Sequence, residues 1–240
     1  MEDKTMSREV VGFNEAPIVT NIDMDRDLKS ENTTVIHFLV DESYSLKDVE
    51  DIVEGELGDV KEAIKGSKVR NEVVVAKTTF ADYIHYGAGY TLIEDFDTNY
   101  LAEGESTRLF DAIVEVQKGL SAYTEELLDR DHPTRAILII MTDGRDNDSN
   151  CQIREARQAI MNLYQEETAI YFIEFGDVAR GVANDLGIKQ EYILSAGDQA
   201  ATQEERASAL RKALRFASQS AISISQGAVP PTVSQQDPFA

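Results

Sequence analysis

The chain has 240 residues, 44 acidic against 23 basic, which gives a formal charge of −21 with one cysteine, no tryptophan and 42% hydrophobic residues. This balance predicts one domain large enough to bury its own core. It excludes an intrachain disulfide or a zinc cluster built on several thiolates, and it opposes direct binding to nucleic acid or an anionic membrane, since no Lys/Arg cluster offsets the repulsion. The longest apolar runs, such as residues 136–141, fall far short of the roughly 20 residues a membrane helix needs, and residues 1–9 lack the apolar stretch of a signal peptide, so the expected location is cytoplasmic.

Residues 1–32 carry the closely spaced charges Asp23, Asp25, Arg26 and Asp27 without sustained periodicity and read as an arm, flexible or docked on a domain expected over 33–225. Residues 34–40, TVIHFLV, form a nearly continuous β-branched and apolar run, which predicts a strand buried on both faces of a parallel sheet. From about 46 to 65 the period changes: Val49, Ile52, Val53, Leu57, Val60 and Ile64 recur at helical spacing until Gly66 and Ser67. Residues 70–80 and the alternating stretch 83–92, broken at Gly87 and Gly89, predict two or three strands with at least one antiparallel pair. A helix follows over about 107–128, a second long buried strand over 134–141, a helix over 153–164 and a strand over 169–175. A short helix over 179–186, a short strand over 191–194 and a final helix over 204–224 complete the series. This alternation predicts a doubly wound, Rossmann-like α/β fold. It has a mostly parallel sheet with one antiparallel edge strand, helices on both faces, and a ligand crevice at the carboxyl ends of the strands. Residues 226–240, rich in Pro, Gln and Ser, predict a disordered tail.

In such a sheet the informative residues lie just past the strand ends. Asp41, Ser43 and Ser45 follow the first long strand, placing two hydroxyls two residues apart beside a carboxylate. Asp143 holds the corresponding place after the second long strand, and Thr107 stands behind Gly104, Glu105 and Ser106 at the head of a helix. Each alone has an ordinary structural explanation, since Asp and Ser favour helix N-caps and Asp-Gly favours turns. Together they make an all-oxygen donor set, which suits a hard divalent cation, Mg2+ first and Mn2+ or Ca2+ next, whereas Zn2+ prefers nitrogen or sulfur. His37, inside the first buried strand, reads as a satisfied core histidine. Cys151 has no His partner visible in the sequence that would make it a nucleophile. Neither a dinucleotide-binding glycine turn after the first strand nor a phosphate-binding Gly-x-x-x-x-Gly-Lys loop is present.

The pattern Asp-x-Ser-x-Ser, then a Thr, then an Asp resembles the von Willebrand factor A domain with its metal-ion-dependent adhesion site. Asp41, Ser43, Ser45, Thr107 and Asp143 carry the likeness, together with the runs 107–113 (TRLFDAI) and 141–144 (MTDG), over about residues 33–225. The chain is most similar to the intracellular prokaryotic and phage members, including the tellurium-resistance-associated type. The resemblance implies a binding module and not an enzyme. It implies that the two serines and the threonine ligate the metal, that the aspartates act largely through water and by holding hydroxyls, and that a carboxylate of a partner protein fills the open position. It further implies Thr107 as the movable ligand, a coupling between that movement and the final helix, and partners such as an AAA+ ATPase or a kinase and phosphatase pair. This sequence departs from the pattern in its acidity, with Glu42, Glu103, Glu105, Asp146 and Asp148 in the same loops. It also has Glu105 and Ser106 where many relatives have glycines.

Two other functions use the same residues. One is a passive structural component of a larger assembly such as a phage particle. The other is a Mg2+-dependent phosphotransferase with Asp41 as nucleophile. The second requires an Asp two residues after the nucleophile, where this chain has Ser43, and a lysine near the phosphate.

Overall fold

The computed structural model describes residues 8–11, 17–28, 32–67, 73–144, 146–196 and 202–225. The expected tail, 226–240, lies outside the described residues, as do 1–7, 12–16 and 29–31 of the arm. The arm begins with an antiparallel pair, β1 (Arg8–Val11) and β2 (Pro17–Thr20), and a single helical turn, α1 (Met24–Asp27). Its second half is docked on the domain. Thr20 Oγ1 donates to the Tyr90 carbonyl at 2.9 Å, and Ile22, Met24 and Leu28 are buried in the core.

The main sheet takes its centre from β3 (Thr33–Asp41), all nine residues of which are buried. On one side it pairs in parallel with β4 (Val73–Phe80), and on the other with β7 (Thr134–Thr142), followed by β8 (Ala169–Glu174) and β9 (Ile193–Ser195), also parallel. The antiparallel edge is shared by two two-residue strands, β5 (Ile84–His85) and β6 (Thr91–Leu92), both paired with β4.

Period-two alternation divides β3 between two cores. Ile36, Phe38 and Val40 face α2 (Glu50–Gly66) and α6 (Gln203–Ser225), while Val35 and Leu39 face α3 (Leu109–Asp129), α4 (Ile153–Gln165) and α5 (Asp177–Leu186). The chain leaves β3 toward α2 on the first face and leaves β7 toward α4 on the second. The loops at the carboxyl ends of these adjacent strands therefore part to opposite sides and open a crevice between them. The expected helix start near residue 46 is a 3-10 segment, Tyr44–Val49, running into α2. Among the described residues no helix is long and apolar enough to cross a membrane.

His37 sits on the α3 face of β3, its Nδ1 3.0 Å from the Tyr90 hydroxyl and its Nε2 2.9 Å from Thr78 Oγ1. Burial pushes its pKa down to about 3, so it is a neutral, fully hydrogen-bonded core residue.

Candidate metal centre

The crevice is built from the end of β3 outward. Asp41 is fully buried, and its carboxylate accepts two hydrogen bonds. Oδ1 takes the Ser43 backbone N–H at 2.9 Å, a local turn typical of aspartate, and Oδ2 takes the Thr142 hydroxyl at 2.7 Å from the neighbouring β7. The Tyr100 hydroxyl donates to the Asp41 carbonyl at 2.6 Å, fixing the backbone from below. Beyond the turn, the Ser43 and Ser45 hydroxyl oxygens lie 2.9 Å apart, Ser43 buried and Ser45 exposed.

A second loop crosses over this turn. Gly104 donates its N–H to the Glu42 carbonyl at 3.0 Å and accepts from the Tyr44 N–H at 2.8 Å, forming a one-residue parallel bridge with Ser43. Only glycine fits that crossing, because a Cβ at residue 104 would lie 2.1 Å from the Ala81 Cβ. Three residues on, Thr107 is buried and held on both sides. Its N–H donates to Asn147 Oδ1 at 2.8 Å, and its carbonyl accepts from the Asn147 and Asp148 N–H groups at 3.0 and 3.3 Å. The next residue, Arg108, donates its N–H to the Ala81 carbonyl at 3.0 Å.

The third loop follows β7. Asp143 is buried, and the N–H of Gly144 donates to Thr142 Oγ1 at 2.9 Å. Gly144 has φ +78°, and a Cβ there would lie 2.4 Å from the Ala179 Cα of α5, so the turn after Asp143 is pressed against that helix. Asp111, in the first turn of α3, clasps this loop to the second one. It accepts from Arg108 Nη2 at 2.6 Å, the Asn150 N–H at 3.0 Å and the Cys151 N–H at 2.9 Å. Those contacts hold its carboxyl well below the usual range despite partial burial.

Electrostatically the centre is under-compensated. Burial, with a further contribution from the Asp143 charge, pushes Asp41 up to about 6 against the opposing hydrogen bonds from Thr142 and Ser43. The donors are hydroxyls and carboxylates. Among the described residues there is no group of three or more His, Cys, Asp or Glu that could hold a metal ion. Two buried carboxylates side by side, with a hydroxyl pair before them, form a donor set that fits a hard divalent cation.

Asp41, Ser43, Ser45 and Asp143 all stand at the carboxyl ends of β3 and β7, and Thr107 is stitched to the loop after β7. The sequence pattern does not single out the support: Thr142, Asn147, Asp111, Tyr100 and the steric role of Gly104. Thr142 and Asp111 lie inside the runs 141–144 and 107–113 that carry the family likeness, which was the available signal.

No family model and no curated protein matches this sequence. Solved structures do. Proximal thread matrix protein 1 from the mussel byssus superimposes with a TM-score of 0.53 at 15% identity, covering 78% of this chain and 47% of that one. A structure of the same protein with a zinc-occupied MIDAS motif gives 0.53 at 16% identity, covering 76% and 47%. The pilus adhesin SpaC from Lactobacillus rhamnosus GG gives 0.61 at 11% identity, covering 82% and 32%. The fold is that of a von Willebrand factor A domain. At these identities the likeness is one of fold, and this chain spans about half the length of the mussel protein and about a third of the adhesin.

Proposed function

We propose that this chain is a cation-dependent protein-binding module in which Ser43, Ser45 and Thr107 hold a divalent metal and Asp41 and Asp143 balance its charge. The reading rests above all on the two buried carboxylates, Asp41 and Asp143, set beside the hydroxyl pair of Ser43 and Ser45. The zinc-occupied motif of the structurally similar mussel protein supports a divalent ion at the corresponding end of the sheet. Mg2+ is our choice of ion on the chemistry of the donors. A cation ligated mainly by neutral hydroxyls keeps positive charge and an open position, which a partner's Asp or Glu fills by a charge-assisted contact.

The same geometry disfavours phosphoryl transfer through Asp41. Ser43 stands where a second acid would be needed two residues after the nucleophile, and the buried Lys77 of the adjacent strand is turned to the Asn99 carbonyl and Asp97. This supports our proposal that the chain is a binding protein. With the likeness to intracellular and tellurium-resistance-associated members, the proposal includes a cytoplasmic location and a partner such as an AAA+ ATPase or a kinase and phosphatase system. Thr107 is our candidate for the movable ligand: its N–H and carbonyl are both tied to the loop after β7, so a switch between direct and water-mediated coordination falls to its hydroxyl or to that loop moving with it.

Calorimetric titration of the chelator-treated full chain with Mg2+, Mn2+ and Ca2+ tests the reading. One ion is expected to bind, with an increase in thermal stability as saturation is reached. Ser43→Ala combined with Asp143→Ala is expected to abolish binding while the fold is retained. Binding that survives the double substitution, or a protein that takes up no ion, rejects the site.

A further inference from the structure

The rim of the candidate centre has a chemistry of its own. Asp82, Glu103, Glu105 and Asp148 are exposed, and they come from three loops that the fold gathers at one edge. The close crossing of Gly104 sets Glu103 and Glu105 on either side of a residue whose added Cβ would be 2.9 Å from Asp82 Oδ1. Ser106, next to Glu105, donates its hydroxyl to Asp148 Oδ2 at 3.2 Å.

Glu42 lies just beneath and accepts from the Tyr83 hydroxyl at 3.2 Å. Burial first, then the charge and hydrogen bond of Glu42 and the charges of Asp82 and Glu103, hold that hydroxyl above its usual pKa. The described basic side chains on these loops are already paired, Lys47 with Glu50 and Arg108 with Asp111. Neither Glu103 nor Glu105 makes an ion pair among the described residues. Two aromatic side chains stand on the same rim: Tyr44, between the two serines, is 68% exposed, and Tyr83 is 44% exposed.

We propose that this face receives a basic protein segment carrying a single acidic residue: the carboxylate reaches the cation, and flanking Lys or Arg side chains lie over Tyr44 and Tyr83 among Asp82, Glu103, Glu105 and Asp148. The proposal builds on the cation-dependent capture described above and specifies the partner. A divalent ion held by Ser43, Ser45 and Thr107 over Asp41 and Asp143 directs its remaining positive charge to one open position, while Asp82, Glu103, Glu105 and Asp148 stay exposed around it. A generally acidic partner therefore brings its flanks against exposed like charge, whereas basic flanks turn the same juxtaposition into attraction. Cationic side chains also pack their aliphatic stems and charged heads on tyrosine faces. The formal charge of −21 favours encounter with a basic partner over an acidic one.

The test uses the full chain and three fluorescein-labelled peptides. Each has one central Asp, flanked by Lys and Arg, by Ser, or by Glu, and anisotropy is read with saturating Mg2+ or with chelator. The basic-flanked peptide is expected to bind about tenfold more tightly than the Ser-flanked one, and the Glu-flanked peptide most weakly. Binding should vanish on chelation or when the central Asp becomes Asn, and it should weaken several-fold as salt is raised. Glu103→Lys with Glu105→Lys should invert the preference between basic and Glu-flanked peptides while calorimetric Mg2+ binding is kept. Tyr44→Ser should weaken the basic peptide several-fold.

Equal affinities for basic-flanked and Ser-flanked peptides, in a chain that binds Mg2+ by calorimetry, overturn the proposal and leave the metal centre standing. So does basic-peptide binding that survives chelation and the Asp to Asn change, since that is unspecific charge attraction. A chain that takes up no cation fails in the calorimetry before any peptide is added, and both readings fall together.

Discussion

Four residues apart on β3, His37 and Asp41 are both buried, yet burial leaves them in opposite conditions. In the middle of the strand, the His37 ring is matched at both nitrogens by Tyr90 and Thr78, and its pushed-down pKa of about 3 keeps it neutral. At the end of the strand, Asp41 has its hydrogen bonds from Ser43 and Thr142, but its charge is resisted by burial and by Asp143, which raise it to about 6. A buried polar group that is complete in its neutral form is architecture. One whose ionised form is opposed by a second carboxylate marks a place where added positive charge lowers the free energy.

Four changes break or sharpen this contrast, taken from the largest expected effect. Gly144→Val adds a side chain at φ +78° and against the Ala179 backbone, and it is expected to destabilise the protein by about 3–5 kcal/mol in urea denaturation. Acid attacks the middle of the strand. Because the folded His37 titrates near 3 and the unfolded one near its ordinary 6.5, the unfolded state takes up the proton first. The His37 contribution is therefore fully present above about pH 6.5 and is lost progressively as pH falls toward 3, on the order of 3 kcal/mol by pH 4.5. The difference between wild type and His37→Gln across that window isolates it, and parallel stability curves would contradict the assignment.

Asp41→Asn should act in the reverse direction. Removing one of two adjacent buried carboxylates is expected to stabilise the metal-free protein by about 1–3 kcal/mol in thermal melts with chelator, while Mg2+ affinity drops about a hundredfold. Thr142→Val keeps the volume but removes the hydroxyl that donates to Asp41 and accepts from Gly144. About 1–2 kcal/mol of stability and about tenfold in cation affinity should go with it, and a variant with wild-type calorimetry would show Thr142 to be structural only.

Strands and helices with strong local signals were legible in the sequence because their burial is written into their periodicity. The run 34–40 is apolar throughout, since β3 is covered on both faces, and the spacing of Val53, Leu57, Val60 and Ile64 is the buried stripe of α2. The segment 20–28 was harder to read. Ile22, Met24 and Leu28 join the core through a single helical turn and a bridge from Thr20 to Tyr90, and three apolar residues give no period to detect. At the candidate centre, residue types and spacing pointed to Asp41, Ser43, Ser45, Thr107 and Asp143. The groups that fix them depend on contacts far apart in the chain: Thr142 reaches Asp41 across 101 residues, and Asn147 reaches Thr107 across 40. No spacing rule encodes such pairings. The close approach of Gly104 to Ala81 is likewise a property of two loops meeting.

The clasp that Asp111 makes on the loop after β7 has a chemical corollary. Cys151 is the single cysteine of the chain, and burial together with Asp111 pushes its thiol up to about 12. At neutral pH this suppresses the thiolate that reacts with alkylating reagents. Labelling of the native protein should accordingly be slow, and any condition that draws Cys151 away from Asp111 should accelerate it. The molecule thus carries an intrinsic reporter, at one atom and without engineering, for whether that loop stays closed while a partner arrives.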